Sequence, residues 1–174
     1  PDCQITWIVD GRFAGIVECC DAVDSVVRAR PGLKPSSWPV VEGEFDAALD
    51  LQGLLKSGIA IARAKAHEKL GYHWQREGAW LFSAKVMPDP TCFHIVDQYV
   101  DVARSLTKCE VPVAFGLKPK PLNTSLLGVL GPFVVVNAGA GWATKRWPPE
   151  YFASLIDALT EKGLTAALIG GKAA

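Results

Sequence analysis

The sequence has 174 residues, of which 49% are hydrophobic and 21% are charged. This is enough material for one buried core and too little for two complete domains, so we expect one domain and part of a second. Lys and Arg together number 18, as do Asp and Glu, so the chain has no net charge with which to hold nucleic acid or an anionic membrane. The longest uncharged apolar stretch, residues 126–136, is interrupted by glycine and proline and is well short of the roughly 20 residues of a membrane-spanning helix.

The cysteines and the start of the chain indicate the cellular context. The cysteines lack C-x-x-C spacing and only His94 among the histidines lies near one, so neither a zinc site nor a disulfide framework is expected. Reduced cysteines and the lack of a signal peptide in this sequence are typical of a cytoplasmic protein. Because the chain opens on Pro1 and runs directly into a strand pattern, we expect a further N-terminal segment in the whole protein. The cysteines are Cys3, Cys19, Cys20, Cys92 and Cys109.

Apolar residues in strand patterns predict several strands in the first half of the chain. Ile5, Trp7 and Val9 alternate with their neighbours before an Asp-Gly turn, and a longer apolar run follows a proline-rich loop. The predicted strands are Gln4–Asp10, a weaker one at Ser25–Val27, a buried one at Phe45–Leu51 and a short one at Leu70–Tyr72.

A helix is predicted directly after Gly53, running through Ala66, so that strand, tight turn and helix form an α/β unit. Helical spacing places Lys56 and Arg63 together on one face and predicts a separate core face. The residues of that predicted core face are Leu55, Ile59, Ala62 and Ala66.

A second helix is predicted at Phe93–Leu106, and a linker follows it. The helix has an ordinary apolar face, and the Lys-Pro-Lys-Pro run at 118–121 has the stiff, extended composition of a segment between domains. The apolar face consists of Ile95, Tyr99, Val102 and Leu106. The predicted organisation is a Rossmann-like domain at 1–117 lacking its first strand, a linker at 118–132 and the start of a second Rossmann-like domain at 133–174.

Regular patterning returns after the linker. Phe133–Val136 predicts a strand, 137–141 a glycine-bearing turn, Pro148 and Gly163 the two ends of a helix, and Thr165–Ile169 a further strand. The buried stripe of this helix is predicted to consist of Phe152, Leu155, Ile156 and Leu159. The result is one β-α-β unit of an open parallel sheet, which we expect to continue beyond this sequence.

The strongest local signal for chemistry is the loop between Asn137 and Trp147. Gly139 and Gly141 after a strand let backbone N–H groups approach a phosphate, and the next helix begins just beyond the loop. Lys145 and Arg146 precede that helix, where each cation opposes the helix dipole at a cost of about 0.3–1 kcal/mol. A bound anion would reverse that cost.

An alternative for this loop remains open. The glycines can equally make only a tight turn, with both cations in solvent, because glycine turns are common in α/β sheets. The loop is not a P-loop, and Thr144 stands where a dinucleotide fingerprint needs its third glycine.

A second polar group is predicted where the buried strand ends. Open α/β sheets bind ligands beyond the carboxyl ends of their strands, which places Asp50, Gln52 and Lys56 at such an edge. Together with Arg63 two turns along, and Arg76-Glu77 in a later loop, these residues predict an anion-binding face. The alternatives are a loose Asp50–Lys56 pair and a surface ion pair between Arg76 and Glu77.

Four segments, in this order and spacing, resemble the lipopolysaccharide heptosyltransferases of glycosyltransferase family 9. The resemblance covers essentially the whole chain and implies a GT-B fold truncated at both ends. It implies transfer of heptose from ADP-heptose to the inner core of lipopolysaccharide, with inversion, without a metal and without a cofactor. The segments are Leu49-Asp50-Leu51-Gln52-Gly53-Leu54-Leu55-Lys56-Ser57, Arg76-Glu77, His94-Ile95-Val96-Asp97-Gln98-Tyr99 and Asn137-Ala138-Gly139-Ala140-Gly141-Trp142-Ala143-Thr144-Lys145-Arg146-Trp147-Pro148.

The resemblance implies roles for residues in both domains. The expected partners are a nucleotide sugar and an anionic lipopolysaccharide acceptor, with no nucleic acid. The expected location is the cytoplasm, and peripheral contact with the inner membrane is compatible with this location. The expected donor-binding residues are Gly139, Ala140, Gly141, Thr144 and Lys145. The expected acceptor-binding residues are Gln52, Lys56, Arg63 and Arg76.

The sequence departs from the family at the catalytic position. The family's general base is an aspartate in a loop upstream of residue 1, and its later nucleotide motif lies beyond Ala174. Asp10 and Asp50 each end a strand, but neither corresponds to that base, so no catalytic residue is assigned and the isolated chain is expected to be inactive. The alternative function is a non-catalytic nucleotide or phosphosugar binding module.

Overall fold

All pairings between the strands of the described residues are parallel, so each is made by a crossover connection rather than by a hairpin. The computed structural model describes residues 3–30, 40–107, 113–118 and 131–170. Contacts divide the chain into two units, Pro1–Lys120 and Pro121–Ala174. The prediction of a parallel α/β fold is confirmed.

The first unit contains two parallel sheets. Strand β1 pairs with β2, and β3, β4 and β5 form a three-stranded sheet in that order. Helix α1, the 3-10 helix and β5 were not predicted, because three or four residues are too few to show a period. In chain order the elements are β1 (Thr6–Asp10), α1 (Ala14–Val17), β2 (Ser25–Ala29), β3 (Glu44–Asp50), α2 (Leu55–Arg63), β4 (Lys65–Tyr72), a 3-10 helix (Ala79–Leu81), β5 (Ala84–Val86) and α3 (Ile95–Thr107).

Helix α2 is shorter than its sequence pattern predicts. It ends at Arg63 instead of continuing through Ala66, because Ala64 adopts an extended conformation with ψ of 132°. Strand β4 then begins at Lys65, five residues before its predicted start at Leu70, and pairs with β3 from its first residue. The hydrogen bonds of the parallel ladder therefore outweigh the helical pattern of this segment.

The predicted core face of α2 is also wrong, and Gly58 explains why. The buried residues of the helix are Gly58, Ala60 and Ile61, whereas Leu55 is 42% exposed. A Cβ at Gly58 would lie 3.2 Å from Cα of Ala79, so the missing side chain lets the 3-10 helix pack directly on this face. The close approach of two backbones decides the orientation of the helix.

We expect Gly58→Ala to destabilise the first unit by about 1–3 kcal/mol, as overpacking does, although alanine is the better helix former. The matched control is Gly15→Ala in α1, where an added Cβ meets no atom within 4 Å. Urea unfolding measures both changes in free energy. Equal effects of the two substitutions would contradict the close packing at Gly58.

Helix α3 confirms the predicted second helix, with its start two residues later, and it is tied to the loop that precedes it. Val102 on its inner face is fully buried. Asp101 accepts the backbone N–H of Asp89 at 2.9 Å and a hydrogen bond from Arg104 at 2.9 Å. The Asp89 N–H, followed by Arg104, holds the pKa of the Asp101 carboxyl below its usual value.

The lowered pKa of Asp101 predicts acid sensitivity. A carboxyl with a lowered folded-state pKa stabilises the fold above the unfolded value of about 3.9, and that contribution is lost as the pH falls through the folded-state pKa. We expect Asp101→Asn to lower the free energy of unfolding by about 1–3 kcal/mol at neutral pH and to flatten its decline in acid.

Urea unfolding at a series of pH values measures this dependence. Asp46→Asn, on an exposed position of β3, is the control and should change stability by less than about 0.5 kcal/mol. An acid decline as steep in Asp101→Asn as in the wild type would show that Asp101 does not cause it.

Two residues where the predicted linker begins contact the segment that follows α1. Leu117 forms an isolated antiparallel bridge with Cys20, and the Lys118 N–H donates to the Cys19 carbonyl at 2.7 Å. Lys118 also forms an ion pair with Asp21. Lys118, predicted as the first linker residue, is thus anchored to the first unit, and residues 119–130 of that linker lie outside the described residues.

The second unit is one β-α-β motif, as predicted. The end of α4 is closed by Gly163, which has φ of +70°, with Leu164 N–H donating to the Leu159 carbonyl at 3.0 Å. The four residues of the predicted stripe are the least exposed of α4, yet none is fully buried, because the described part of this unit has only two strands to cover them. Its elements are β6 (Phe133–Asn137), a 3-10 helix (Ala143–Lys145), α4 (Pro149–Glu161) and β7 (Thr165–Ile169).

Candidate functional site

A buried carboxylate organises the turn between β3 and α2. Asp50 is 2% exposed, and its two oxygens accept hydrogen bonds from the Gln52 N–H at 2.9 Å, the Gly53 N–H at 2.9 Å and the Ser57 hydroxyl at 3.0 Å. The described residues show no ion pair between Asp50 and Lys56. Asp50 therefore holds the turn that carries Gln52 and Lys56.

The first turn of α2 receives its hydrogen bonds from two directions. The Ser57 hydroxyl accepts the Leu54 N–H at 3.0 Å, and a carboxylate oxygen of Glu77 lies 3.4 Å from the Leu55 nitrogen and accepts its N–H. Lys56 follows in the same turn, as predicted, and this turn contains no acidic residue of its own. The negative charge that the helix dipole favours there is therefore supplied by Glu77.

The loop after β4 is fastened to the start of α2. Arg76 N–H donates to the Gly53 carbonyl at 2.7 Å. Gly53 has φ of +66°, and a Cβ at this position would lie 2.8 Å from the Trp74 carbonyl oxygen, so only glycine permits the contact. The structure thereby brings the segment of Arg76 beside the segment of Gln52 and Lys56.

Arg63 lies apart from this group. It is in the last turn of α2, seven residues from Lys56, which corresponds to about 10 Å along a helix axis. A cation at this end of a helix is stabilised by the dipole without any ligand. Of the four predicted acceptor residues, Arg63 is the one that the fold does not bring to the carboxyl ends of the strands.

Asp10 ends β1 and is bound by a neighbouring arginine. Its carboxylate accepts the Arg12 backbone N–H at 3.0 Å and two guanidinium hydrogen bonds at 3.1 and 2.8 Å. These bonds with Arg12, with a smaller contribution from the charge of Lys56, lower the pKa of Asp10 to about 2. Such a carboxylate is a weak base.

The candidate donor loop of the second unit is held by its own residues. Asn137 accepts the Gly139 N–H at 3.1 Å, and Nε of Arg146 donates to the Ala140 carbonyl at 3.3 Å. Within the described residues the N–H groups of Ala140 and Gly141 make no hydrogen bond. Arg146 is exposed, and its guanidinium group stabilises the loop through this bond.

The helix after this loop contributes less to anion binding than its position suggests. Pro148 is its N-cap and Pro149 its first residue, and neither has an N–H to donate. Glu150 already places a negative charge in the first turn. Trp147 stacks on Tyr151 at 5.5 Å and anchors the junction. Lys145 lies exposed in the 3-10 helix of the loop.

Sequence reasoning missed two contributors to these sites. Glu77 was read as a surface partner of Arg76, but the described residues show no ion pair between them, and its contact with Leu55 spans 22 residues. For Arg146 the sequence allows either anion binding or exposure to solvent, and its bond to the Ala140 carbonyl was not predicted. In both cases the partner is a backbone atom, which a sequence pattern does not reveal.

The described residues show no sign of a metal site, a disulfide or a membrane-spanning helix. No group of three or more His, Cys, Asp or Glu there could hold a metal ion. No helix there has the length and apolarity to cross a bilayer. Cys3, Cys19, Cys20 and Cys92 are free thiols, and Cys109 lies outside the described residues.

Solved structures share this fold. E. coli heptosyltransferase WaaC with ADP matches with a TM-score of 0.72 and 23% identity, covering 98% of this chain and 58% of that one. A glycosyl transferase of family 9 from Veillonella parvula matches with a TM-score of 0.74 and 18% identity, covering 98% of this chain and 55% of that one. The fold class is therefore that of the GT-B glycosyltransferases, as expected.

The sequence comparisons define the family. The model of glycosyltransferase family 9 (heptosyltransferase) matches residues 39–174, and the chain belongs to this family. Over 202 aligned positions it is 26% identical to lipopolysaccharide heptosyltransferase 1 of Pseudomonas aeruginosa, covering 100% of this chain and 54% of that protein. It is also 26% identical over 130 residues to the lipopolysaccharide core heptosyltransferase OpsX of Haemophilus influenzae, covering 66% of this chain and 36% of that protein. The chain thus spans about half, or less, of these relatives.

We expect Asp50→Asn to destabilise the first unit by about 1–3 kcal/mol, because a buried charged acceptor with three donors is lost. Ser57→Ala, which removes one donor, should cost about 1 kcal/mol. Gln52→Ala is the control, since the Gln52 side chain is exposed and should contribute less than about 0.5 kcal/mol. Urea unfolding ranks the three variants, and an Asp50→Asn effect no larger than that of Gln52→Ala would refute the assignment.

Proposed function

We propose that this chain is part of a heptosyltransferase that transfers heptose from ADP-heptose to the inner core of lipopolysaccharide, with inversion and without a metal or a cofactor. Membership of glycosyltransferase family 9 supports the reaction class. The main support for an acceptor site in the first unit is the hydrogen bond between the Arg76 N–H and the Gly53 carbonyl, just before α2. This bond supports the proposal that Lys56 and Arg76 bind one anionic acceptor together.

We assign the acceptor to the first unit. In this assignment residues 1–117 form the acceptor part and 133–174 the start of the nucleotide-sugar domain. Of the linker predicted at 118–132, Lys118 stays attached to the first unit. Lys56 and Arg76 bind phosphate or carboxylate groups of the acceptor, Arg76 through its forked guanidinium and Lys56 as a point charge. Gln52 supplies a neutral hydrogen-bonding group at the same edge, and Arg63 contributes at longer range.

We assign the donor to the loop after β6. The N–H groups of Ala140 and Gly141 and the ammonium group of Lys145 bind the diphosphate, while Gly139 and Thr144 shape and line the loop. In the reaction an acceptor hydroxyl attacks the anomeric carbon of heptose, and the bond to the diphosphate breaks with its electron pair leaving on oxygen. A cation at the diphosphate stabilises that developing charge.

We place no catalytic base in this chain. Attack by the hydroxyl releases a proton that needs an acceptor, and Asp50 is buried on three donors while Arg12 holds the Asp10 carboxylate. The 174-residue chain is therefore expected to show no turnover by itself. We place the protein on the cytoplasmic side of the inner membrane, with peripheral contact, because its proposed acceptor is a membrane lipid.

The division of labour is tested in the product of the complete gene that encodes this sequence. Lys145→Ala should weaken ADP binding by about 1.5–3 kcal/mol, the range of a charge-assisted hydrogen bond, and Lys145→Arg should recover only part of it. Lys56→Ala and Arg76→Ala should raise the acceptor KM while leaving ADP affinity unchanged. Calorimetry with ADP and initial rates with ADP-heptose and lipopolysaccharide acceptor measure the two effects.

Exposed lysines away from the sites serve as matched controls. Lys85→Ala on β5 and Lys162→Ala after α4 should alter neither quantity. Added salt should raise the acceptor KM of the wild type more than that of Lys56→Ala. Impaired ADP binding in Lys56→Ala would refute the assignment of the acceptor to the first unit. Binding of ADP-heptose by the complete protein without turnover would favour the alternative of a non-catalytic binding module.

A further inference from the structure

We propose that Glu77 is a positioning residue of the acceptor face, which holds the loop of Arg76 against the first turn of α2, next to Lys56. The proposal rests on the proposed function in taking this face as the acceptor site. It adds a residue that contacts no ligand and acts through its neighbours. It also explains why an acidic residue lies next to a candidate anion-binding arginine.

The backbone of Glu77 is the first observation. Its φ is +58°, in the left-handed region, and among the described residues it is the only non-glycine residue with positive φ. Side chains rarely adopt this conformation, because Cβ approaches the following carbonyl oxygen. A strained residue of this kind persists where its surroundings impose it. Gly78 continues the turn with φ of +88°.

The destination of the carboxylate is the second observation. The unusual backbone carries the side chain to the start of α2, where an oxygen of Glu77 accepts the Leu55 N–H at 3.4 Å. Leu54, the N-cap, has no side-chain acceptor, and the first turn has no acidic residue. Glu77 therefore supplies across the fold what helices ordinarily obtain from their own N-terminal residues.

The position of Arg76 is the third observation. Its N–H donates to the Gly53 carbonyl at 2.7 Å, and its own carbonyl accepts the Ala79 N–H at 3.0 Å. Glu77, the next residue, accepts the hydrogen bond from Leu55. The backbone of Arg76 is therefore held by its own two hydrogen bonds and by its neighbour, while the Arg76 side chain stays exposed.

Charge adds a further argument. Glu77 directs its carboxylate to a backbone N–H, and the described residues show no ion pair between it and Lys56 or Arg76. An acidic side chain that paired with either cation would compete with an anionic ligand. Bound at the N-terminus of α2, the Glu77 carboxylate interacts favourably with the helix dipole. This interaction offsets the cost of the Lys56 charge there and leaves both cations available.

Two variants with equal charge test the role. Glu77→Gln and Glu77→Ala both remove the negative charge, but only glutamine keeps an oxygen that accepts the Leu55 N–H. Glu77→Gly is the third variant, because glycine adopts positive φ freely and separates loss of the contact from backbone strain. The measurements on the 174-residue chain are amide hydrogen exchange of Leu55 and Arg76, followed by NMR, and the Kd of inorganic phosphate.

We expect exchange at Leu55 to be roughly fivefold faster in Glu77→Ala and Glu77→Gly than in Glu77→Gln, the effect of losing one hydrogen bond. Phosphate should bind at least as tightly to Glu77→Gln as to the wild type, since a repelling charge is gone. It should bind roughly threefold more weakly to Glu77→Ala than to Glu77→Gln, because the two cations are no longer held together.

Two results overturn the proposal. Equal exchange at Leu55 in all three variants would show that Glu77 does not hold the loop. Equal phosphate affinity in Glu77→Ala and Glu77→Gln would show that Glu77 acts only through its charge. If Lys56→Ala and Arg76→Ala bound phosphate as tightly as the wild type, the acceptor assignment would instead be refuted. The exchange rate at Leu55 would still decide whether Glu77 makes its contact.

Discussion

The arrangement of the first unit depends on one buried carboxylate. Asp50 ends β3 with almost no solvent exposure, a position that is costly for a charge unless donors surround it. Its donors come from the next seven residues, so satisfying the charge fixes the turn and the start of α2 together. The carbonyl of Gly53 then becomes the place where the loop of Arg76 attaches. The candidate acceptor face is thus a consequence of burying an ionised group.

The two candidate sites are built on different principles. The face in the first unit joins segments more than 20 residues apart, through Gly53 with Arg76 and Leu55 with Glu77. The loop in the second unit is stabilised by bonds that span two and six residues. Long-range assembly makes the first face sensitive to the stability of its whole unit. Local assembly makes the second loop a property of its own short sequence.

The success of sequence-based prediction follows the same distinction. Strand β7 lies within its predicted bounds and β3 is displaced by one residue, because apolar runs between turn residues report strands directly. The predicted core face of α2 was wrong, because the orientation of the helix depends on a close backbone contact at Gly58 that periodicity does not encode. The sequence analysis predicted Gln52, Lys56 and Arg76 as residues of one acceptor-binding face. The bonds that hold them use backbone atoms and a positive φ, which residue identity alone does not show.

The paired prolines at the start of α4 have a consequence for ligand binding at the neighbouring loop. Pro148 and Pro149 fix their own backbone angles, and each also restricts the residue before it. The junction therefore samples few conformations even in the unfolded chain, so ordering it loses little conformational entropy. In the proposed donor site, a ligand at Lys145 would meet a junction that is already rigid, and less of its binding free energy would be consumed in immobilising the protein. Rigidity here comes from covalent rings and needs no capping hydrogen bond.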